Sequence, residues 1–126
     1  MGRAIRIQAG EVSLAAELND SPTADAVWQA LPVEATGNRW GDEIYFAIPV
    51  SAKRAPEARA EVEVGELGYW PPGKALCIFF GPTPASQGKE PRAASPINPI
   101  GRVLDDVGAL QAVPDGARVH IAKGAE

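Results

Sequence analysis

A mainly β fold, a closed barrel with one short helix capping an end, follows from three features of this chain. Nine short runs alternate apolar and polar residues or are apolar throughout. One segment carries helix signals at both ends, and 13 Gly and 12 Pro interrupt the 126 residues too often for long helices. A chain of 13.2 kDa has the size of one domain with one core, 1–126. Closure is expected because a single helix covers little of so long a sheet, and a barrel leaves no edges exposed.

Ile5 and Ile7 share one side of run 3–8, and Val12, Leu14, Ala16 and Leu18 one side of run 12–18. Both read as half-buried strands, with Ala9-Gly10 turning the chain between them. The helix is predicted over 22–31. Ser21 stands where an N-cap belongs, Pro22 occupies the first helical position, Asp25 lies in the first turn and Pro32 stops it. Ala24, Val27, Trp28 and Leu31 make its apolar face, and so short a helix needs a surface to lie on. Strands follow at 33–35, 43–48, 60–64, 68–70, 75–80, 100–104 and 118–122. Gly37-Asn38, Gly41-Asp42 and Pro71-Pro72-Gly73-Lys74 read as turns, the last as type II. Residues 81–99, with Pro82, Pro84, Pro91, Pro96 and Pro99, read as the one long loop.

Charge and composition exclude several classes of function. A net charge of −4 gives no electrostatic reason to approach nucleic acid or an anionic membrane. The longest apolar run, Ala75-Leu76-Cys77-Ile78-Phe79-Phe80, is too short to span a bilayer, and residues 1–20 lack the apolar core of a signal peptide. A cytoplasmic location is expected. One cysteine and one histidine cannot build the usual zinc sites, and although carboxylates alone could still hold a metal, no spacing points to such a site; neither metal nor cofactor is expected. Nothing in the sequence bears on oligomeric state.

Two stretches resemble cyclophilins. Glu17-Leu18-Asn19-Asp20-Ser21-Pro22-Thr23-Ala24, continuing to Trp28 and Leu31, is similar to their strand, acidic turn and helix. Ile100-Gly101-Arg102-Val103-Leu104-Asp105-Asp106-Val107 is similar to a later segment. The stretch from Gly68 through Gly81-Pro82-Thr83-Pro84-Ala85-Ser86, with Ser95-Pro96-Ile97-Asn98, Gly101-Arg102 and Gly41-Asp42-Glu43-Ile44-Tyr45-Phe46, resembles the small prokaryotic cyclophilin-like proteins. The resemblance covers nearly the whole chain and implies a cyclophilin-like barrel in a group without a well-defined activity. The Phe-His-Arg and Gln-Gly-Gly-Asp segments of true cyclophilins are missing. Val33-Glu34-Ala35-Thr36-Gly37-Asn38-Arg39-Trp40 stands in their place, and Pro96-Ile97-Asn98-Pro99 where a pocket histidine would precede the Gly-basic pair. No catalytic residue carries over.

The candidate ligand-binding residues are Arg39, Tyr45, Trp70, Phe79, Phe80 and Arg102. Arg39 stands beside Trp40, where a guanidinium either reaches an amide or covers the tryptophan. Arg102 either contacts an acidic ligand group or pairs with a carboxylate of the sheet. Tyr45 and Phe46 face opposite sides of one strand, with Phe46 expected inside. Trp70 either rims a groove or holds the turn made by Pro71-Pro72. Phe79 and Phe80 face opposite ways, so at most one floors a pocket. His120 falls on a solvated face, and Cys77 reads as a small buried hydrophobe. The expected function is binding of a peptide or small molecule in a groove between the helix-bearing side and the 81–99 loop. The alternative is weak peptidyl-prolyl isomerisation, a reaction with a barrier of about 18–20 kcal/mol that needs no acid, base or cofactor.

Overall fold

The first hairpin forms as its alternation predicts. β1 (Arg3–Ala9) and β2 (Val12–Leu18) pair antiparallel around Gly10, whose φ of 59° only glycine adopts without strain. Ile5, Ile7, Leu14, Ala16 and Leu18 are buried on one side of the pair. These elements belong to a computed structural model that describes residues 2–124; Met1, Ala125 and Glu126 lie outside the described residues. The helix α1 (Pro22–Ala30) has Ser21 as its N-cap, with Oγ accepting from the Ala24 amide at 3.2 Å, and Leu31 as its C-cap. Ala24, Val27 and Leu31 enter the core. Trp28 is only half-buried, with the Arg3 guanidinium 5.5 Å and the Lys123 ammonium 4.8 Å from its ring centre.

The remaining strands are β3 (Val33–Thr36), β4 (Asn38–Arg39), β5 (Glu43–Ala47), β6 (Arg59–Glu61), β7 (Glu66–Trp70), β8 (Ala75–Phe79), β9 (Arg92–Val103) and β10 (Arg118–Lys123). They form one antiparallel path, β3-β10-β1-β2-β9-β7-β8-β5-β4, with β6 added on β9. The expected closed barrel is corrected here: the sheet encloses the core without closing as a hydrogen-bonded ring. Its two ends, β3 and β4, do not pair with each other. They are successive parts of one segment separated by Gly37, one part paired to β10 and the other to β5. A Cβ on Gly37 would stand 3.0 Å from Val119 Cγ2 and 3.2 Å from Ile44 Cγ2, so the chain changes partners where a side chain has little room.

Two further expectations change. The loop expected over 81–99 ends at Pro91, because β9 already begins at Arg92 and runs for 12 residues. Pro96 and Pro99 lie inside this strand. Pro99 is opposite Gly68 at an irregularity in the β7–β9 ladder, a place where a missing amide is tolerated. The turn after β7 is a 3-10 turn, Pro71–Gly73, and the positive φ falls on Lys74 rather than Gly73. Gly73 answers a different demand: a Cβ there would meet Trp70 Cε3 and Cζ3 at 2.8 Å.

The sheet is apolar on both faces around β5, β7 and β8. Ile44, Phe46, Leu67, Tyr69, Leu76 and Ile78 face the main core together with Ile5, Ile7, Leu18, Ile100 and Ile121. The alternate positions, Cys77 and Phe79 with the half-buried Tyr45 and Trp70, face the other way under Val62, Ala93 and Ile97. The first half of β9 thus crosses over the outer face, with Ile97 resting on Gly68. A Cβ on Gly68 would stand 2.7 Å from Ile97 Cδ1. Gly68→Ala is therefore expected to lower stability by about 1–3 kcal/mol through overpacking. Adding Ile97→Val, which removes that methyl group, is expected to restore part of the loss in urea unfolding. A double variant no more stable than Gly68→Ala alone would refute the contact.

Candidate functional site

The crossing of β9 over the outer face of the sheet leaves a cavity of about 230 Å3 beside it, walled by Trp40, Tyr45 and Trp70 and by Ala93, Ala94 and Ile97, with Glu43 among its lining. Each wall has a local cause. Trp40 and Glu43 are held by a tight turn in which the Trp40 amide donates to the Glu43 carbonyl at 2.9 Å and the Glu43 amide donates back at 3.2 Å. Gly41 between them has φ 59°, and a Cβ on it would strike Thr83 Cα and Pro84 Cδ at 2.9 Å. Tyr45 follows Glu43 on the same face of β5. Trp70 ends β7, donates from Nε1 to Ser95 Oγ at 2.7 Å and leans over Gly73, so its ring is held at both ends.

Glu43 is the unusual member. It is 5% exposed, and the Cys77 thiol, which donates to the Ala75 carbonyl at 4.0 Å, is one of the groups that act on it. Burial pushes its carboxyl up to about 7, with the thiol contact pulling weakly the other way. Burial first, then the neighbouring Glu43 carboxylate, hold the Cys77 thiol well above its ordinary range, so Cys77 stays protonated and is no nucleophile. Among the described residues no cation pairs with Glu43. The site therefore offers aromatic and aliphatic walls and one carboxyl that changes charge near neutral pH.

Of the residues named from the sequence, Tyr45 and Trp70 come together at this cavity. Phe79 lies in the apolar layer that Tyr45 and Trp70 pack against, fully buried. Phe80, Arg39 and Arg102 are elsewhere. Phe80 joins the main core and carries the Arg39 guanidinium 4.9 Å from its ring centre. Arg39 turns its donors to the fold: it donates to the Gly41 carbonyl at 2.9 Å and the Val113 carbonyl at 2.7 Å and pairs with Asp42 at 3.3 Å. These bonds tie the segment around Val113 to β4. Arg102 is exposed and pairs with Glu17 at 3.5 Å beside a wider, more polar depression that also contains Asp20, Glu63 and Glu66.

Sequence reasoning misses Glu43, Ala93, Ala94 and Ile97 and treats Trp40 only as a neighbour of Arg39. Glu43 was within reach, because the alternation that turns Tyr45 outward puts Glu43 on the same face. The three β9 residues fall in the stretch that reads as loop. Among the described residues, no group of His, Cys, Asp or Glu is placed to hold a metal ion, and no helix is long and apolar enough to cross a membrane.

The comparisons with known proteins agree with this architecture. The Cyclophilin-like family profile matches residues 3–122. A hypothetical protein from Archaeoglobus fulgidus, known from a solution structure, is 40% identical and superposes with a TM-score of 0.83 over 98% of this chain and 95% of its own. No curated protein matches. With its profile match, its antiparallel sheet around one core and its short capped helix, the chain belongs to the cyclophilin-like family.

Proposed function

We propose that this chain is a binding domain that holds a small molecule, or one side chain of a peptide, in the cavity between β5, β7 and the first half of β9. The observation that carries the reading is the lining: three aromatic rings and aliphatic walls around one buried carboxyl. Ligand sites combine mostly apolar walls with few fixed polar groups. Trp40 strengthens the case, because it belongs to neither apolar cluster of the fold. A large ring that packs in no core gains little for folding and is free to serve a ligand.

The test is a fragment and short-peptide screen followed by amide and indole NMR shifts. Shifts are expected to converge on Trp40, Tyr45, Trp70 and Ile97. Trp40→Ala is expected to weaken any such binding at least tenfold while moving the melting midpoint by no more than a few degrees. Trp70→Ala is expected to lower the midpoint as well, since it loses the Ser95 bond and its packing on the outer cluster. Shifts converging on the Arg102 depression, or scattered over the surface, would refute the assignment.

The same reading expects little prolyl isomerisation. The arginine nearest the cavity in sequence, Arg39, has its donors engaged by the Gly41 and Val113 carbonyls and by Asp42. A protease-coupled assay on proline peptides is expected to run close to the uncatalysed rate. Acceleration comparable to that of a true cyclophilin would favour the isomerase instead.

A further inference from the structure

Resting on the binding reading above, we propose that the cavity selects an organic cation, namely an alkylated ammonium group seated among Trp40, Tyr45 and Trp70 with Glu43 as its counter-ion. The faces of aromatic rings are electron-rich, and a cation over them is held more strongly where water is excluded. Three such rings around one small space make a cage rather than an ordinary apolar slot. A neutral ligand gains only burial from these walls, whereas a cation gains attraction from each ring and from the carboxylate.

The charges of the neighbouring elements leave this role to Glu43 alone. On the turn before β5, Asp42 is paired with Arg39 at 3.3 Å. On β9, Arg92 is paired with Glu61 at 3.0 Å and Glu90 at 3.5 Å. Glu66 on β7 is paired with Arg59 on β6. The titratable groups on Glu43's own face are the Tyr45 phenol and, from β8, the Cys77 thiol, neither of which supplies a positive charge. An ionised carboxylate this deeply buried without a counter-ion is costly, and a ligand cation supplies the missing partner.

The lining also chooses among cations. Only Glu43 and Tyr45 among the lining side chains can accept a hydrogen bond, while Ala93, Ala94 and Ile97 present methyl groups. A guanidinium, with five N–H donors, would leave some of them unpaired, and a primary ammonium would have to engage both Glu43 oxygens and the Tyr45 hydroxyl at once. A quaternary or highly alkylated ammonium has few or none to satisfy. The volume of about 230 Å3 suits such a head group, whether borne by a small molecule or by the end of a methylated lysine side chain.

Tryptophan fluorescence titrations of the whole chain test this with four probes: choline, its carbon isostere in which a carbon atom replaces the nitrogen, a peptide bearing trimethyl-lysine, and the same peptide unmethylated. Choline or the trimethylated peptide is expected to bind at least tenfold more tightly than its own control, and the stronger of the two identifies the source. Because a proton on Glu43 competes with the cation, affinity is expected to rise about tenfold per pH unit up to pH about 7 and level off above it. Glu43→Gln, checked for folding by circular dichroism, is expected to reduce the preference for charge to the share the rings supply and to abolish its pH dependence, while keeping the isostere's affinity. Trp40→Leu, which leaves the carboxyl in place, is expected to weaken the cation more than the isostere. An isostere that binds as tightly as choline would overturn the cation assignment and leave the binding cavity standing. Binding by none of the probes, or cation affinity indifferent to pH and to Glu43→Gln, would also overturn it, with the NMR screen deciding separately whether the cavity binds neutral ligands.

Discussion

Gly101→Ala is expected to cost more than about 4 kcal/mol, a large share of the roughly 5–15 kcal/mol that holds a domain together. Gly101 lies in β9 between Leu18 of β2 and Leu67 of β7 in register. A Cβ there would overlap the Glu17 carbonyl oxygen and stand 3.0 Å from both the Glu17 carbonyl carbon and Leu18 Cα. These are backbone atoms of a paired strand, so no rotamer change relieves the clash. The β2–β9 ladder has to separate, and the path of paired strands is broken near its middle. Urea unfolding, or the soluble yield where the variant fails to fold, measures the effect. Gly116→Ala is the control. Gly116 has φ 91°, and a Cβ on it would meet nothing within 4 Å, so only backbone strain of about 1–3 kcal/mol is expected. Equal losses for the two variants would show that conformation, not close approach, explains Gly101.

The second large effect is a pH dependence of stability that belongs to Glu43. Its folded carboxyl titrates at about 7 and its ordinary value is 4.5. The folded chain therefore keeps a proton that the unfolded chain releases between those values. The stabilisation is present in full below pH 4.5, declines as pH rises, and is gone above about 7. The difference is worth about 3 kcal/mol. Glu43→Gln keeps the shape of a protonated carboxyl and lacks the titration. The stability of the native chain relative to this variant is thus expected to fall by about 3 kcal/mol across that window. Comparing the two proteins cancels the other carboxylates, which they share. A constant difference from pH 4.5 to 7 would show that Glu43 is solvated in the folded chain.

The strands and the helix are legible because their signals are local. Ile5 and Ile7 alternate with polar residues, and Ser21 and Pro22 cap a short amphipathic segment in any fold that contains it. Strand β9 is half hidden because its prolines carry a local signal for loop. Pro99 is accepted only because the ladder is irregular opposite Gly68, a fact about two distant segments. The same distance effect hides most of the cavity. Tyr45 stands out as a large aromatic facing outward and Trp70 as one that either rims a groove or holds a turn, yet what makes them walls is the passage of Ala93, Ala94 and Ile97 alongside.

Arg39 and Glu43 mark the boundary most sharply. Proximity to Trp40 makes Arg39, like Arg102, a candidate polar anchor, and the segment around Val113 brings carbonyls that engage its donors. In the sequence Glu43 is only the first residue of the strand expected over 43–48. Which residues share a face is written in the order of the amino acids alone, since it depends only on the two-residue period of a strand. Whether that face meets water or a second layer depends on the folded arrangement. Desolvation is set by what chain segments far apart in sequence place over a group, and it is desolvation that turns Glu43 from a surface charge into the polar centre of a cavity.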